Sequence, residues 1–231
     1  MAENEVCVIV LSYNRPRMLG EALRSIRKAD QVILIDDGSD FDAAALLKDV
    51  KPDARECLLI QNPKLTHAER ISVPHVGRGI NEAIRKSSCG IISYLCDDDL
   101  FHEGWPEALR DFFSKNQAHV AFGGWNRFRD GEVPGDEPCP LGNILTTGNF
   151  AHRRSCSIEH GLWWGEHTVT VHDSYFVNHV IFRLHPEYAR IRALAGWRRE
   201  HQYNMFNYTG GLADQYSPHG VEVLRREKLE D

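Results

Sequence analysis

Nowhere in the 231 residues is there a run of about 18 or more apolar side chains, the length that a membrane-crossing helix needs. The opening residues, Met1-Ala2-Glu3-Asn4-Glu5, put no positive region ahead of a hydrophobic one, so no secretory signal is expected. Closely spaced cysteine pairs are missing too. Cys7, Cys57, Cys89, Cys96, Cys139 and Cys156 are too scattered for a zinc knuckle or a redox pair. Cys7 and Cys96 fall inside strand-like runs, where a thiol serves as a small buried hydrophobe. These absences lead to the expectation of a cytoplasmic protein in a reducing compartment. Basic charge is scarce: 27 Lys and Arg stand against 33 Asp and Glu, for a net charge of −6. That excludes a protein that holds nucleic acid by bulk electrostatics and leaves room only for a local basic groove. No internal repeat and no low-complexity tract interrupts the chain.

What is present fits one globular domain, 42% hydrophobic and 26% charged, with the length to bury a sizeable core. Val6-Cys7-Val8-Ile9-Val10-Leu11 is a continuous apolar run, as expected of a strand buried on both faces. Pro16 suits the first turn of a helix, and Met18, Leu19, Ala22, Leu23 and Ile26 recur at helical spacing after it. Val32-Ile33-Leu34-Ile35 predicts a second strand, Ala43 to Leu47 a helix and Glu56 to Ile60 a third strand. This alternation implies an α/β fold with a doubly wound, mostly parallel sheet. Beyond a loop from Asn62 to Val76, Ile80, Ala83 and Ile84 give a helix an apolar face. At its start Gly77-Arg78-Gly79 would let main chain and Arg78 approach a phosphate, or would merely punctuate the chain. Trp105 to Phe113 predicts a further helix, and His119 to Gly123 a further strand.

The chain is organised around Ile91-Ile92-Ser93-Tyr94-Leu95-Cys96-Asp97-Asp98-Asp99-Leu100-Phe101, a buried-strand pattern that ends in three consecutive acids. In open α/β sheets ligands bind outside the carboxyl ends of the strands. Adjacent carboxylates repel unless a cation joins them, and Mn²⁺ or Mg²⁺, which prefers carboxylate and phosphate oxygens, is the natural candidate. The plainer alternative is that these acids cap the helix that Gly104-Trp105-Pro106 begins.

Val8 to Arg15, then Ile35-Asp36-Asp37-Gly38-Ser39, then Asn81 on a helix, then Tyr94 to Asp99, together resemble the nucleotide-binding half of family 2 glycosyltransferases with the GT-A fold. The resemblance is strong over about residues 5–125 and weaker to about residue 208. Within the family, Ile80 to Ile84 through Asp97-Asp98 is similar to the bacterial spore-coat polysaccharide type. It implies a single GT-A domain: a nucleotide-sugar-binding half over about 5–125, an acceptor half over about 126–216 and a tail over 217–231. Ser12, Tyr13, Asn14 and Arg15 would lie against the nucleotide, and Asp36 would accept a hydrogen bond from a uracil-type base. Asp97 would touch ribose or metal, and Asp98 would ligate the metal that bridges the diphosphate. The family places its first acid where this chain has Cys96. A thiol suits a hard ion poorly, so the metal contacts are expected to move to Asp97, Asp98 and Asp99.

In the acceptor half, Thr146 to Ser155 resembles the segment that closes the base of the sugar site. Asp173, ahead of a helical run through Val177, Val180 and Ile181, matches the family's general base, with Glu166 as the fallback; a plain helix cap is the alternative. Trp197 to Asn204 resembles the family's Arg-x-His-x-x-Asn ending, which would bring His201 to the metal and Arg198 and Arg199 to phosphate oxygens. Trp163-Trp164 would either stack on an acceptor sugar or divide into one core and one exposed residue. The segment from Arg129 to Leu141 reads as a closing loop. The whole implies an inverting transferase that uses a nucleotide-diphosphate sugar, UDP-sugar favoured. Its acceptor is a glycan, lipid-linked sugar or small molecule in preference to nucleic acid, although Arg153, Arg154, Arg190, Arg192, Arg198 and Arg199 concentrate positive charge. The mostly charged tail would either fray or cover a partner subunit in a homodimer, with Val221, Val223 and Leu224 as its docking residues. Two other classes compete: a nucleotidyltransferase, against which the absence of a Gly- and Arg/Lys-rich loop at Ser12 to Pro16 speaks, and a non-catalytic sugar-nucleotide or glycan-binding module, which the loss of the first acid favours.

Overall fold

The computed structural model describes residues 2–66, 69, 75–135, 147–164, 176–177, 183–184 and 189–200. β1 (Ala2–Ser12), α1 (Pro16–Ser25), β2 (Ala29–Asp36), α2 (Ala43–Val50) and β3 (Ala54–Gln61) lead to α3 (His75–Lys86) and β4 (Cys89–Cys96). A short β5 (Leu100–Phe101), α4 (Trp105–Lys115) and β6 (Val120–Arg129) follow, then a 3₁₀ turn at Thr147–Asn149, β7 (Phe150–Arg153), α5 (Ser155–Ile158) and β8 (Ala189–Glu200). One eight-stranded sheet holds them in the order β3-β2-β1-β4-β7-β6-β8-β5. β3, β2, β1 and β4 run parallel, β7 is antiparallel to both its neighbours, and β8 runs parallel to β6.

The continuous apolar runs are buried on both faces because helices cover both. Val6, Val8 and Val10 of β1 pack with Leu19, Leu23 and Ile26 after α1's start and with Trp105, Leu109 and Phe113 of α4. Cys7 and Ile9 face the opposite layer, where Ile80, Ala83 and Ile84 of α3 lie. Each such fully buried aliphatic side chain contributes about 1.5–3 kcal/mol. Pro16 occupies the first turn of α1, and Asp42 caps α2 by accepting from the Ala45 amide at 2.8 Å. α4 begins without a side-chain cap. The acids 97–99 therefore do not cap it, and β5 stands between them and that helix.

Several expectations change on the carboxyl-terminal side. β6 continues past Gly123 to Arg129, so Arg129 closes a strand where a loop was expected to open, and the expected division near residue 126 falls inside β6. Arg153 donates to the Phe113 and Asn116 carbonyls at 2.8 and 2.6 Å, at the end of α4. Arg154 donates to the Ile84 and Arg85 carbonyls at 2.9 and 3.1 Å, at the end of α3. Both satisfy last-turn carbonyls at the negative helix ends, which withdraws them from a basic acceptor groove. Gly77, Arg78 and Gly79 lie within α3, where Gly79 packs against Ile35.

Trp164 is 2% exposed and belongs to the core, whereas Trp163 is half-buried under the Arg85 guanidinium at 4.6 Å. The pair thus divides as one core residue and one outer neighbour. Asn81, fully buried, ties Trp164 to α3 with two main-chain hydrogen bonds of 3.0 and 2.9 Å. The Trp164 indole N–H donates to the Tyr94 hydroxyl at 2.9 Å, which lies 2.7 Å from His152 Nε2; His152 Nδ1 is 2.8 Å from the Arg153 carbonyl. These partners fix a neutral imidazole with its proton on Nδ1, accepting from Tyr94 through Nε2. Burial pushes the His152 pKa down from 6.5 to about 4.

Stability should depend on pH in consequence. Above pH 6.5 His152 is neutral in both folded and unfolded chains and costs nothing; below it the unfolded imidazole takes up a proton that the buried one refuses, so stability is lost as pH falls toward about 4. Urea unfolding of wild type and His152→Gln across this range should show wild type losing up to roughly 3 kcal/mol more than the variant, because each pH unit between the two pKa values is equivalent to about 1.4 kcal/mol. Parallel pH profiles would contradict the buried neutral imidazole.

Candidate functional site

The register of the parallel strands brings the site together. Ser12 pairs with Asp36 and Leu11 with Cys96, so β1, β2 and β4 end level. Each chain then takes one more step in concert: Asp37 N donates to Ser12 O at 2.9 Å, Asn62 N to Asp36 O at 2.8 Å and Asp97 N to Leu11 O at 3.0 Å. Three loops therefore leave the same edge of the sheet beside one another.

The first loop is bolted to the second. Asn14 adopts a left-handed φ of 54°, which its side chain tolerates better than most, and its amide donates to Ser39 Oγ at 2.9 Å. Its side chain exchanges hydrogen bonds with Asp40, at 3.1 and 2.7 Å. Gly38 has φ 76°, and a Cβ there would come within 2.7 Å of the Pro63 carbonyl, so the second loop requires glycine. Asp36 is 3% exposed and accepts from the Ser39 amide at 3.2 Å, an Asx-type turn. Asp37, for which no role was expected, accepts from Asn62 at 3.0 Å and lies 3.0 Å from His75 Nε2. Tyr13 is 42% exposed at the mouth.

The three acids divide by the geometry of strand and turn. Asp97 and Asp98 lie in the turn just past β4, and their carboxylates meet at one Arg15 nitrogen. One Asp97 oxygen accepts from the Tyr13 amide at 2.9 Å, and the other from Arg15 at 2.8 Å; Arg15 also reaches Asp98 at 3.1 Å. Asp99 N donates to Cys96 O at 3.2 Å, a turn that folds Asp99 back over Cys96. Ligand atoms of Cys96, Asp98 and Asp99 accordingly lie within 4.8 Å of one another. Among the described residues this is the group able to converge on one ion, and it includes the thiol that was expected to stand aside. Asp97 is held by the Tyr13 amide and by Arg15, whose same nitrogen also holds Asp98.

Burial and the Asp98 charge push the Asp97 pKa up to about 6, against the pull of Arg15 and the Tyr13 amide. Asp99, 8% exposed, is raised well above the usual carboxylate range by burial and then by Asp98, although its carboxylate accepts from the Arg199 amide at 3.0 Å. Two carboxylates suit a hard divalent ion and the donor set fits one; the thiol adds a softer donor.

Arg199 departs from its expected role. It is 2% exposed, its Nε donates to the Asp98 carbonyl at 2.9 Å, and its other nitrogens pair with Asp130 at 2.6 Å and Glu21 at 2.5 Å. Its guanidinium also lies over Phe128 at 4.7 Å. Arg17 closes the ring through Glu21 at 2.8 Å and Asp130 at 2.6 Å. A side chain so occupied braces the acidic turn against α1 and the end of β6 and is spent before any phosphate arrives. Arg198 is half-buried on the same strand, and Arg78 is exposed on α3. Asp173, Glu166 and His201 lie outside the described residues.

The sequence profile described as Glycosyl transferase family 2 matches residues 7–165. Protein CgeD of Bacillus subtilis (strain 168) is 26% identical over 123 residues, 51% of this chain and 28% of that protein. Among solved structures, a TarS fragment from S. aureus in complex with UDP-GlcNAc superposes with a TM-score of 0.66 at 14% identity, over 87% of this chain and 60% of the fragment. Glucosyl-3-phosphoglycerate synthase from Mycobacterium tuberculosis, solved with Mn²⁺, UDP and glucosyl-3-phosphoglycerate, gives 0.59 at 14% identity over 91% of this chain and 76% of that one. The fold is thus GT-A. The chain spans well under two thirds of the curated relative.

Replacing the one full positive charge that contacts both Asp97 and Asp98 gives a test of the site's electrostatics. Arg15→Gln should raise the Asp97 pKa above its value of about 6, by about one pH unit or more, in a metal-free carboxylate NMR titration. An unchanged or lower value would contradict the arrangement.

Proposed function

The chain belongs to glycosyl transferase family 2, and from that premise we propose that it moves a sugar from a nucleotide-diphosphate donor to an acceptor hydroxyl with inversion at the anomeric carbon. The observation that carries this is the level ending of β1, β2 and β4, which gathers Asp36, Asp97, Asp98 and Asp99 at one edge of the sheet. UDP-sugar is the favoured donor, in keeping with the uridine nucleotides in the TarS and synthase complexes. Ser12 to Arg15 line the nucleotide, with the exposed Tyr13 ring offered to it. Asp36, already oriented by Ser39, accepts from the base N–H.

Asp173 serves as general base: it takes the acceptor's proton while the acceptor oxygen bonds to the anomeric carbon and the bond to the diphosphate breaks on the opposite face. A divalent cation, Mn²⁺ or Mg²⁺, supplies when bound the positive charge that offsets the charge gathering on the departing diphosphate. Asp98 and Asp99 would hold it, with His201 as a further ligand. Arg15 keeps Asp97 and Asp98 in place. The acceptor is a glycan, a lipid-linked sugar or a small molecule in preference to nucleic acid, because Arg153, Arg154 and Arg199 are committed within the fold. A cytoplasmic location suits the five described cysteines, all of them free thiols. No helix among the described residues is long and apolar enough to cross a membrane. A homodimer contact is assigned to the tail.

Calorimetric titration with UDP, GDP and dTDP, with and without Mn²⁺, tests the donor site. UDP should bind in the presence of Mn²⁺, and affinity should fall by about tenfold or more without the metal or in Asp98→Ala. Binding of no nucleotide, or indifference to metal, would overturn the proposal in favour of a vestigial binding module.

A further inference from the structure

The unusual member of the acidic turn is Cys96. It ends β4 half-buried, and the turn that follows brings Asp98 and Asp99 to within 4.8 Å of its sulfur. An ion bonded to two donors at about 2.0–2.3 Å bridges atoms up to about 4.5 Å apart. The spread of 4.8 Å among Cys96, Asp98 and Asp99 needs only a small side-chain adjustment to meet that limit. Arg15 contacts Asp97 and Asp98 through the same nitrogen, and the ligand atoms that lie within 4.8 Å of one another are those of Cys96, Asp98 and Asp99. At the position of Cys96 the group offers a sulfur, with two carboxylates beside it.

We propose that Cys96 is a direct ligand of the divalent cation, with Asp98 and Asp99, so that this site selects thiophilic ions of the Co²⁺ and Zn²⁺ class, and Mn²⁺ over Mg²⁺. The inference rests on the metal-dependent reading given above. On coordination the thiol proton goes to solvent and the thiolate takes its place in the ion's shell, so the three ligands carry the same charge as three carboxylates would. Mg²⁺ gains little from a sulfur donor, and affinity for N, O and S donors rises from Mn²⁺ to Co²⁺. Occupation of the site is consequently sensitive to thiol alkylation, as it would not be in an all-carboxylate site.

Co²⁺ is the probe, because a Co–thiolate bond gives a charge-transfer absorption in the near ultraviolet that carboxylate ligands do not. Co²⁺ titrated into wild type in the presence of UDP should produce that band, and Cys96→Ser, checked for an unchanged circular dichroism spectrum, should lose it and weaken for Co²⁺ by about tenfold or more. Asp98→Asn should also lose the band, which assigns the sulfur to this turn and not to one of the other five cysteines. Cys96→Asp should move the Co²⁺/Mg²⁺ affinity ratio toward Mg²⁺ by about tenfold or more. Co²⁺ binding without the band, or a band that survives in Cys96→Ser, would overturn the role of Cys96 and leave the nucleotide-sugar proposal standing. Failure of both Co²⁺ and Mn²⁺ to bind with UDP would overturn both.

Discussion

Asp97, Asp98 and Asp99 follow one another at the end of a strand buried on both faces, and mutual repulsion among carboxylates taken out of water is the constraint to which their surroundings answer. Two of the three are 3% and 8% exposed. Charges so placed must be paired, protonated or joined by a cation. The fold uses the first means for Asp97, through Arg15 and a main-chain amide. Asp99 accepts from the Arg199 main-chain amide, while burial and then the Asp98 charge raise its pKa. The remaining negative charge is directed to one side of the turn, together with the Cys96 sulfur.

Positioning that turn costs a second buried charge. Arg199 crosses from β8 to hold the Asp98 carbonyl and reaches Glu21 on α1 and Asp130 past the end of β6. A buried guanidinium is tolerable because each of its nitrogens has a partner and two carboxylates neutralise it. The same residue joins the two halves of the sheet: β8 belongs to the far side, while the acids and α1 belong to the nucleotide side.

The half of the chain that reads well in the sequence is the half made of parallel strands. Runs such as Val6 to Leu11 and Val32 to Ile35 are continuous because helices cover both faces, and their ends carry the polar loops. β5 is two residues long and leaves no periodic trace. β8, Ala-Arg-Ile-Arg-Ala-Leu-Ala-Gly-Trp-Arg-Arg-Glu, carries four arginines and resembles a solvated turn; its pairing with β6 and β5 makes it a strand. The acids themselves are plain in the sequence, yet as an undivided run they hide the turn after Cys96, which brings Asp98 and Asp99 near its sulfur. The Arg199 brace is out of reach for another reason. Its partners lie 69 and 178 residues away, and nothing local marks an arginine as buried.

On this account the turn at Cys96 to Asp99 is where the diphosphate of a nucleotide and a divalent cation meet. The most direct measurement is an anomalous-difference map from crystals grown with Mn²⁺ and UDP. A Mn²⁺ peak is predicted within bonding distance of Asp98 and Asp99, shared with diphosphate oxygens. A peak elsewhere on the surface, or UDP bound with no ion at this turn, would contradict it.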